Sequence, residues 1–287
     1  MTTTASEATA ALRRFNRTYT QRIGVLEESF LGLGLPLSGA RLVYEIGEVG
    51  AGVGDLRARL DLDSGYLSRL LRTLEQRDLV EVRPDPDDGR RRTARLTEAG
   101  RDLLERLEER SQDLAARLVA PLTERQRDRL AEALTTADLL VRAATVTLRE
   151  VDPSASEATT AMGHYFDELD RRFPSGFDPG APAPPDTFTI ATSDGRPVAC
   201  GGLQRIGDGV GEIKRMWVDP GWRGAGLGAR LLRHLEQVAA TAGHRVVRLD
   251  TNGTLAEAIA MYERAGYVAI ERYNDNPYAE LFFEKPL

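Results

Sequence analysis

The stretch Arg223-Gly224-Ala225-Gly226-Leu227-Gly228-Ala229 decides how this chain is read, because it joins a strand-like run, GEIKRMWV (211–218), to an amphipathic helical run ending at residue 243. Glycines between a strand and a helix let the backbone approach a ligand closely. The N–H groups of the helix's first turn, reinforced by the helix dipole, suit a pyrophosphate. Two phosphate ligands satisfy this pattern. Gly224 to Ala229 also fits a loose dinucleotide-binding G-x-G-x-x-A, with acidic Asp250 ending the next strand. Against that alternative, Asp219 to Arg223 intervene between strand and glycines, whereas dinucleotide-binding glycines follow their strand almost directly.

Working outward, VTLREVDP (146–153) reads as strand and turn, and residues 154–172 as a helix. A proline- and glycine-rich loop follows (173–185), then TFTIAT and PVACGGLQRI as a hairpin about Asp194-Gly195. After the glycine loop the pattern alternates: strand RVVRLDT (245–251), helix LAEAIAMYERAG (255–266), and strands YVAIERY (267–273) and AELFFEKPL (279–287). The back of the chain is therefore mixed α and β.

The front has a different texture. Leu12, Phe15, Tyr19, Ile23, Leu26 and Phe30 recur at helical spacing, so a single helix is expected over 8–30. Three short helices follow, at 38–48, 53–60 and 63–78, the arrangement of a helix-turn-helix. LVEVRP and RTARLT, joined by DPDDGRR, predict a two-stranded hairpin, a wing. Two long leucine-rich helices are expected over 97–144, broken at Pro121 and restarted by a cap at Thr123. Long helices flanking so small a reader are expected to bury their apolar faces against a second copy. No Gly/Ser linker separates the halves, and the boundary is placed near residue 145.

Composition narrows the classes. Across 287 residues the net charge is −6, which carries no global mark of a nucleic-acid binder. Before residue 150, 24 basic residues, all arginine, meet 25 acidic ones. DNA recognition must therefore rest on local features. A single cysteine, Cys200, excludes an internal disulfide, and His164, His234 and His244 lie far apart, so no metal is expected. No run approaches the ~20 apolar residues of a membrane span, and a cytoplasmic protein is expected.

The back half, about 146–287, resembles the GNAT acetyltransferases: Arg223, Gly226 and Gly228 meet their Q/R-x-x-G-x-G/A signature, and LDTN, AIAMYERAGY and FFEKPL follow in family order. That resemblance implies an α+β fold with a mixed central sheet that binds acetyl-CoA and acetylates an amine by direct attack. It places the pyrophosphate on the amides of Arg223, Gly224, Ala225, Gly226, Leu227, Gly228 and Ala229, and the pantetheine arm along Met216, Trp217 and Val218. Asn252 is placed facing the cofactor, with a turn former as the alternative. Glu212, eleven residues before Arg223, matches the general base of histone-acetylating members, the alternative being a strand-end carboxylate that binds a cationic substrate or pairs with Lys214 or Arg215. Tyr262 matches the tyrosine that protonates the CoA sulfur, with core packing as its alternative. Phe173, Phe177, Asp178 and Tyr273 fall where relatives shape the acceptor pocket, and a small-molecule acceptor is expected.

The front half, about 8–144, resembles MarR regulators, all-α with a β-wing. In that resemblance Asp63 or Ser64 caps a recognition helix whose buried face is Leu67, Leu70, Leu71 and Leu74. Its outward face offers Ser64, Gly65, Tyr66, Ser68, Arg69, Arg72 and Thr73 to the major groove. Arg90, Arg91 and Arg92 at the wing suit the minor groove or phosphates. The expected whole is a homodimer on a pseudo-palindromic operator in double-stranded DNA, with residues 1–145 binding DNA and 146–287 carrying the acetyltransferase. In the rival reading the second domain senses acetyl-CoA without turnover.

Overall fold

The computed structural model describes residues 4–24, 29–85, 89, 91–180, 184–193 and 195–287. The chain divides into two compact units, 1–128 and 129–287.

In the first unit, α1 (Ala5–Arg22) opens with a capping box, in which Thr4 Oγ1 accepts from the Glu7 amide at 3.2 Å and Glu7 accepts from the Thr4 amide at 2.7 Å. The helix stops at Arg22, short of the expected 30, because Ile23 leaves helical geometry and Gly24 takes a left-handed φ of 68°. Leu26 lies outside the described residues. No residue of α1 is buried: Leu12, Phe15 and Tyr19 all face outward, with Phe15 and Tyr19 stacked at 5.7 Å.

Helices α2 (Leu37–Ile46), α3 (Val53–Leu60) and α4 (Ser64–Gln76) pack around Leu42, Val43, Ile46, Leu56, Leu67, Leu71 and Leu74. Leu70, expected in the core, is half-buried at its edge. The wing has three strands, not two. The short β1 (Ala51–Gly52) joins β2 (Val80–Pro84) and β3 (Arg92–Leu96) in the order β1-β3-β2, because the segment between α2 and α3 runs along the free edge of β3. Helix α5 (Glu98–Val119) starts under the Thr97 cap and packs so tightly that a Cβ on Gly100 would lie 2.0 Å from the Leu79 carbonyl oxygen. Helix α6 spans Glu124–Thr145.

The second unit is built on a seven-stranded sheet in the order β4-β5-β6-β7-β8-β10-β9. Its members are β4 (Leu148–Val151), β5 (Thr187–Ser193), β6 (Arg196–Gly207), β7 (Val210–Val218), β8 (Val246–Thr251), β9 (Val268–Ala269) and β10 (Leu281–Pro286). All neighbours are antiparallel except β7 and β8. Helix α8 (Leu227–Thr241) covers one face with Leu231, Leu232, Leu235 and Ala239, against Val247, Leu249 and Phe283. Helix α7 (Ser156–Arg172) covers the other with Ala158 and Ala161, against Phe188, Ile190, Cys200 and Trp217. Helix α9 (Ala256–Arg264) precedes β9. The expected strand 267–273 pairs only at Val268–Ala269; beyond it the chain leaves the sheet until β10.

Two features at the sheet's centre create the site. The parallel pairing of β7 with β8 runs from Val210↔Val246 to Glu212↔Arg248 and ends there. Just beyond, β7 bulges: Lys214 faces Gly202 and Trp217 faces Cys200, so two residues oppose Gly201. Arg215 adopts φ 55° in this bulge, a conformation that costs a side-chain-bearing residue about 1–3 kcal/mol and clusters at functional sites. Gly201 must be glycine, since a Cβ there would meet Leu235 at 2.7 Å and Met216 at 3.2 Å. The strands fork open at Glu212.

Candidate functional site

One cavity, of about 470 Å³, lies between the end of β7, the glycine loop and α9. It is lined by Met216, Trp217, Val218, Arg223, Gly224, Gly226, Leu227, Gly228 and Ala229, so most of the sequence-predicted cofactor residues converge. Gly224 and Gly226 take φ of 81° and 82°, which only glycine adopts without strain. Arg230 is the first amide of α8 to close onto a carbonyl, that of Gly226 at 3.0 Å; those of Leu227, Gly228 and Ala229 have no carbonyl one turn back. A Cβ on Gly228 would come within 3.2 Å of Met261 Sδ and enter this space. The loop therefore fits a pyrophosphate group.

Three expected members are placed differently. The Arg223 amide already donates to Pro220 O at 3.3 Å. Its side chain is engaged by protein groups: Nε donates to the Val218 carbonyl at 3.0 Å and Nη2 to Glu168 at 2.5 and 2.6 Å. Ala225 packs against the core instead of lining the cavity. Asn252 lines the neighbouring cavity and holds a turn, Nδ2 donating to Tyr278 O and Oδ1 accepting from Thr254. Glu168, which the sequence did not flag, is the hub of this wall. It also accepts from Trp217 Nε1 at 2.9 Å and Arg172 Nη1 at 3.3 Å.

The second cavity, of about 710 Å³, opens on the other side of the fork. Tyr165, Met216 and Tyr262 line both cavities, so the two meet there. Tyr262 is buried, which pushes its phenol above the ordinary tyrosine range, with the Asp250 charge adding to the shift; it stays a proton donor. Glu212 is buried at the fork, where Oε1 accepts from Tyr273 Oη at 2.9 Å and Asn274 Nδ2 at 3.0 Å, and Oε2 from Lys214 Nζ at 2.7 Å. Burial and the Glu212 charge push the Tyr273 phenol up in turn. Phe173 and Phe177 stand edge to face at 5.9 Å, and Tyr278 closes on Phe177 at 4.7 Å, forming an aromatic wall. The segment 273–278, which the family resemblance places at the acceptor pocket, lines this cavity because it leaves the sheet. Asn274 and Asn276 arrive with it, inside that stretch, though neither is singled out by the sequence. Cys200 is buried in β6, its thiol pushed up by burial.

In the first unit, Asp63 caps α4, its Oδ1 accepting from the Tyr66 amide at 2.8 Å. Ser64, Gly65, Ser68, Arg69, Arg72 and Thr73 are exposed, and Tyr66 is half-buried with the Arg69 guanidinium 5.9 Å from its ring centroid. Ser68 and Thr73 donate to carbonyls one turn back, leaving their oxygens as acceptors. Arg92 is exposed at the start of β3, and the carbonyl of exposed Arg91 accepts from the Asp85 amide at 2.9 Å. Arg90 lies outside the described residues.

Residues 149–267, spanning β4 to α9, match the model of the acetyltransferase (GNAT) family. An IAA acetyltransferase of Azospirillum brasilense is 39% identical over 111 residues, 37% of this chain and 71% of that protein. The chain belongs to the GNAT acetyltransferase family. Its second unit is thus an acetyltransferase that uses an acyl-CoA. Residues 33–91 match the MarR family model, which identifies the first unit as a MarR-type winged helix-turn-helix. Among solved structures, a putative acyl-CoA N-acyltransferase from Klebsiella pneumoniae is 29% identical, covering 50% of this chain and 99% of that one with a TM-score of 0.42. Wild-type MarR from E. coli is 24% identical, covering 44% of this chain and 94% of that one with a TM-score of 0.39.

Proposed function

We propose that this chain is a cytoplasmic transcription regulator and N-acetyltransferase in one, transferring acetyl from acetyl-CoA to the amine of a small molecule by direct attack. The observation that carries the reading is the meeting of two cavities at Tyr262 and Met216, one floored by the glycine loop and the other holding a buried carboxylate. Acetyl-CoA supplies an activated acyl group. The amides of Gly224, Gly226, Leu227, Gly228 and Ala229 hold its pyrophosphate, and the free edge of β7 at Met216 and Trp217 takes the pantetheine arm. Arg223 positions the loop through Glu168 rather than binding phosphate. Tyr262 gives its phenolic proton to the departing sulfur. Glu212 engages the acceptor's amino group, and Phe173, Phe177 and Tyr273 shape the space around it.

The test is thiol release from acetyl-CoA with a panel of small amines, amino acids and a lysine peptide. Tyr262→Phe is expected to lower turnover about 100-fold, the usual scale of one proton-transfer group, and Glu212→Gln to lower turnover at limiting acceptor by weakening its binding. Tight acetyl-CoA binding with no turnover on any acceptor would favour the sensor reading.

For the first half, with 1–145 taken as the DNA-binding domain and 146–287 as the acetyltransferase, we propose a homodimer reading a pseudo-palindromic operator through α4 and the wing. In a coupled reading, acyl-CoA occupancy alters DNA affinity; within the second unit the start of α8 is tied to the end of α6. Arg230, in the first turn of α8 behind the glycine loop, donates to the carbonyls of Ala143, at 2.7 Å, and Val146 at the end of α6. Arg142 lies over Trp222, 4.6 Å from the ring centroid, in the same place.

A further inference from the structure

Asp250 shares the acceptor-side cavity with Glu212 and Tyr262. It lies on β8 past the fork, where that strand keeps β10 but has lost β7, half-buried, and its sequence context gave it no role in acyl transfer. Its Oδ2 accepts from Asn274 Nδ2 at 2.6 Å and its Oδ1 from Asn276 Nδ2 at 3.2 Å. Asn274 Nδ2 also donates to Glu212 Oε1, so one amide bridges two carboxylates.

The two carboxylates are not equivalent. Glu212 takes three donors, one of them the Lys214 ammonium, which Gln204 Oε1 holds in place at 3.0 Å. Those donors hold its two oxygens in place and leave lone-pair capacity for an amino group. The hydrogen bonds to Asp250 come from neutral amides alone. Burial pushes its carboxyl above the ordinary aspartate range; the Asn274 and Asn276 hydrogen bonds and Lys214 oppose this, and the Glu212 charge adds to it. The other groups coupled to it, Tyr165 of α7, Tyr262 of α9 and Tyr273, are phenols that remain protonated, and Arg248 on its own strand is paired with Glu284 at 2.7 Å.

We propose that Asp250 is the group that takes the proton from the acceptor amine, while Glu212 anchors that amine. This rests on the acetyl-transfer reading above. The neutral amine's lone pair forms the N–C bond to the acyl carbon, and the C–S bond breaks. The sulfur's electron pair takes the Tyr262 phenolic proton, and the N–H proton passes to Asp250. Amide and free thiol leave, and proton exchange with solvent returns Asp250 to carboxylate and Tyr262 to phenol.

The experiment compares wild type, Asp250→Asn and Glu212→Gln on an amine the wild type acetylates, measuring kcat and acceptor KM against pH. Asp250→Asn is expected to lose about 100-fold in kcat and the acid limb of its pH profile, with acceptor KM little changed. Glu212→Gln is expected to raise acceptor KM about tenfold and keep the acid limb. Binding of CoA by each variant shows that it is folded. Independently of any variant, carbon-13 NMR of the Asp250 carboxyl in wild type without acyl-CoA is expected to show titration above the aspartate value of about 3.9. Retention of kcat and the acid limb by Asp250→Asn, or an ordinary titration, overturns the assignment of Asp250 alone. A wild type silent on every amine overturns the transfer reading and this one with it.

Discussion

Glu168 ties two side chains of the cofactor wall, Arg223 and Trp217, to α7, where Arg172 joins them, and its charge state sets whether the tie holds. Burial by itself pushes this carboxyl up, but the hydrogen bonds and charge of Arg223, with Trp217 and Arg172, bring it below the ordinary glutamate range. A carboxyl whose folded pKa is depressed contributes stability that is present above the unfolded pKa, about 4.3, and lost as pH falls through the lowered folded value. Acyl-CoA affinity, read by calorimetric titration, is therefore expected to show no Glu168-dependent loss from neutral pH down to that range and to fall below it. Glu168→Gln is expected to weaken binding already at pH 7. A variant matching wild type at pH 7 would show that Arg223 needs no partner. At this scale the sequence was a partial guide. The glycines at 224, 226 and 228 announced themselves because only glycine fits their backbone or their clearance. The inward turn of Arg223 did not, since an arginine's direction depends on a partner 55 residues away on another element.

Among elements, α1 stands out because it is well capped yet buries nothing, leaving Leu12, Phe15 and Tyr19 on one exposed stripe. Isolated helices of this length are marginal in water, and amphipathic packing supplies most of a helix's stability. If this stripe is covered by a second copy, Phe15→Glu with Tyr19→Glu is expected to halve the mass seen by light scattering while the melting of the first unit's core is retained; an unchanged mass would place the dimer contact elsewhere. Periodicity located α2, α3, α4 and α8 to within a few residues, because their apolar faces repeat along the helix. It failed where a local pattern met a tertiary constraint. Residues 267–273 alternate like a strand, yet Tyr273 turns to Glu212 and Asn274 to both carboxylates, and those bonds are made away from the sheet. The bulge at Arg215 was equally invisible, its trace being Gly201 on the neighbouring strand.

For the whole molecule, the resemblance of each half to a known family was legible from motif order; the compact units divide after residue 128, inside α6, while the texture of the sequence changes near 145. The fusion itself invites one measurement. Arg69→Ala and Arg72→Ala are each expected to weaken binding to an operator selected from genomic fragments by about 1–3 kcal/mol. If the halves are coupled, saturating acetyl-CoA shifts the wild-type affinity and Arg230→Ala abolishes that shift while leaving DNA binding in place. Equal affinity with and without acetyl-CoA would mean that the two activities merely share a chain.

The fork between β7 and β8 has a further consequence for how the protein meets solvent. A parallel strand that loses its neighbour in mid-sheet ends its ladder in the middle of the fold, where most amides are locked. Beyond Glu212 the amides of β7 that face the fork should trade hydrogen for deuterium within seconds, while those on the β6 side resist for hours. An arriving pantetheine arm, acting as a temporary strand, would silence that bright seam, so isotope exchange alone can time the ligand's residence without any chemistry taking place.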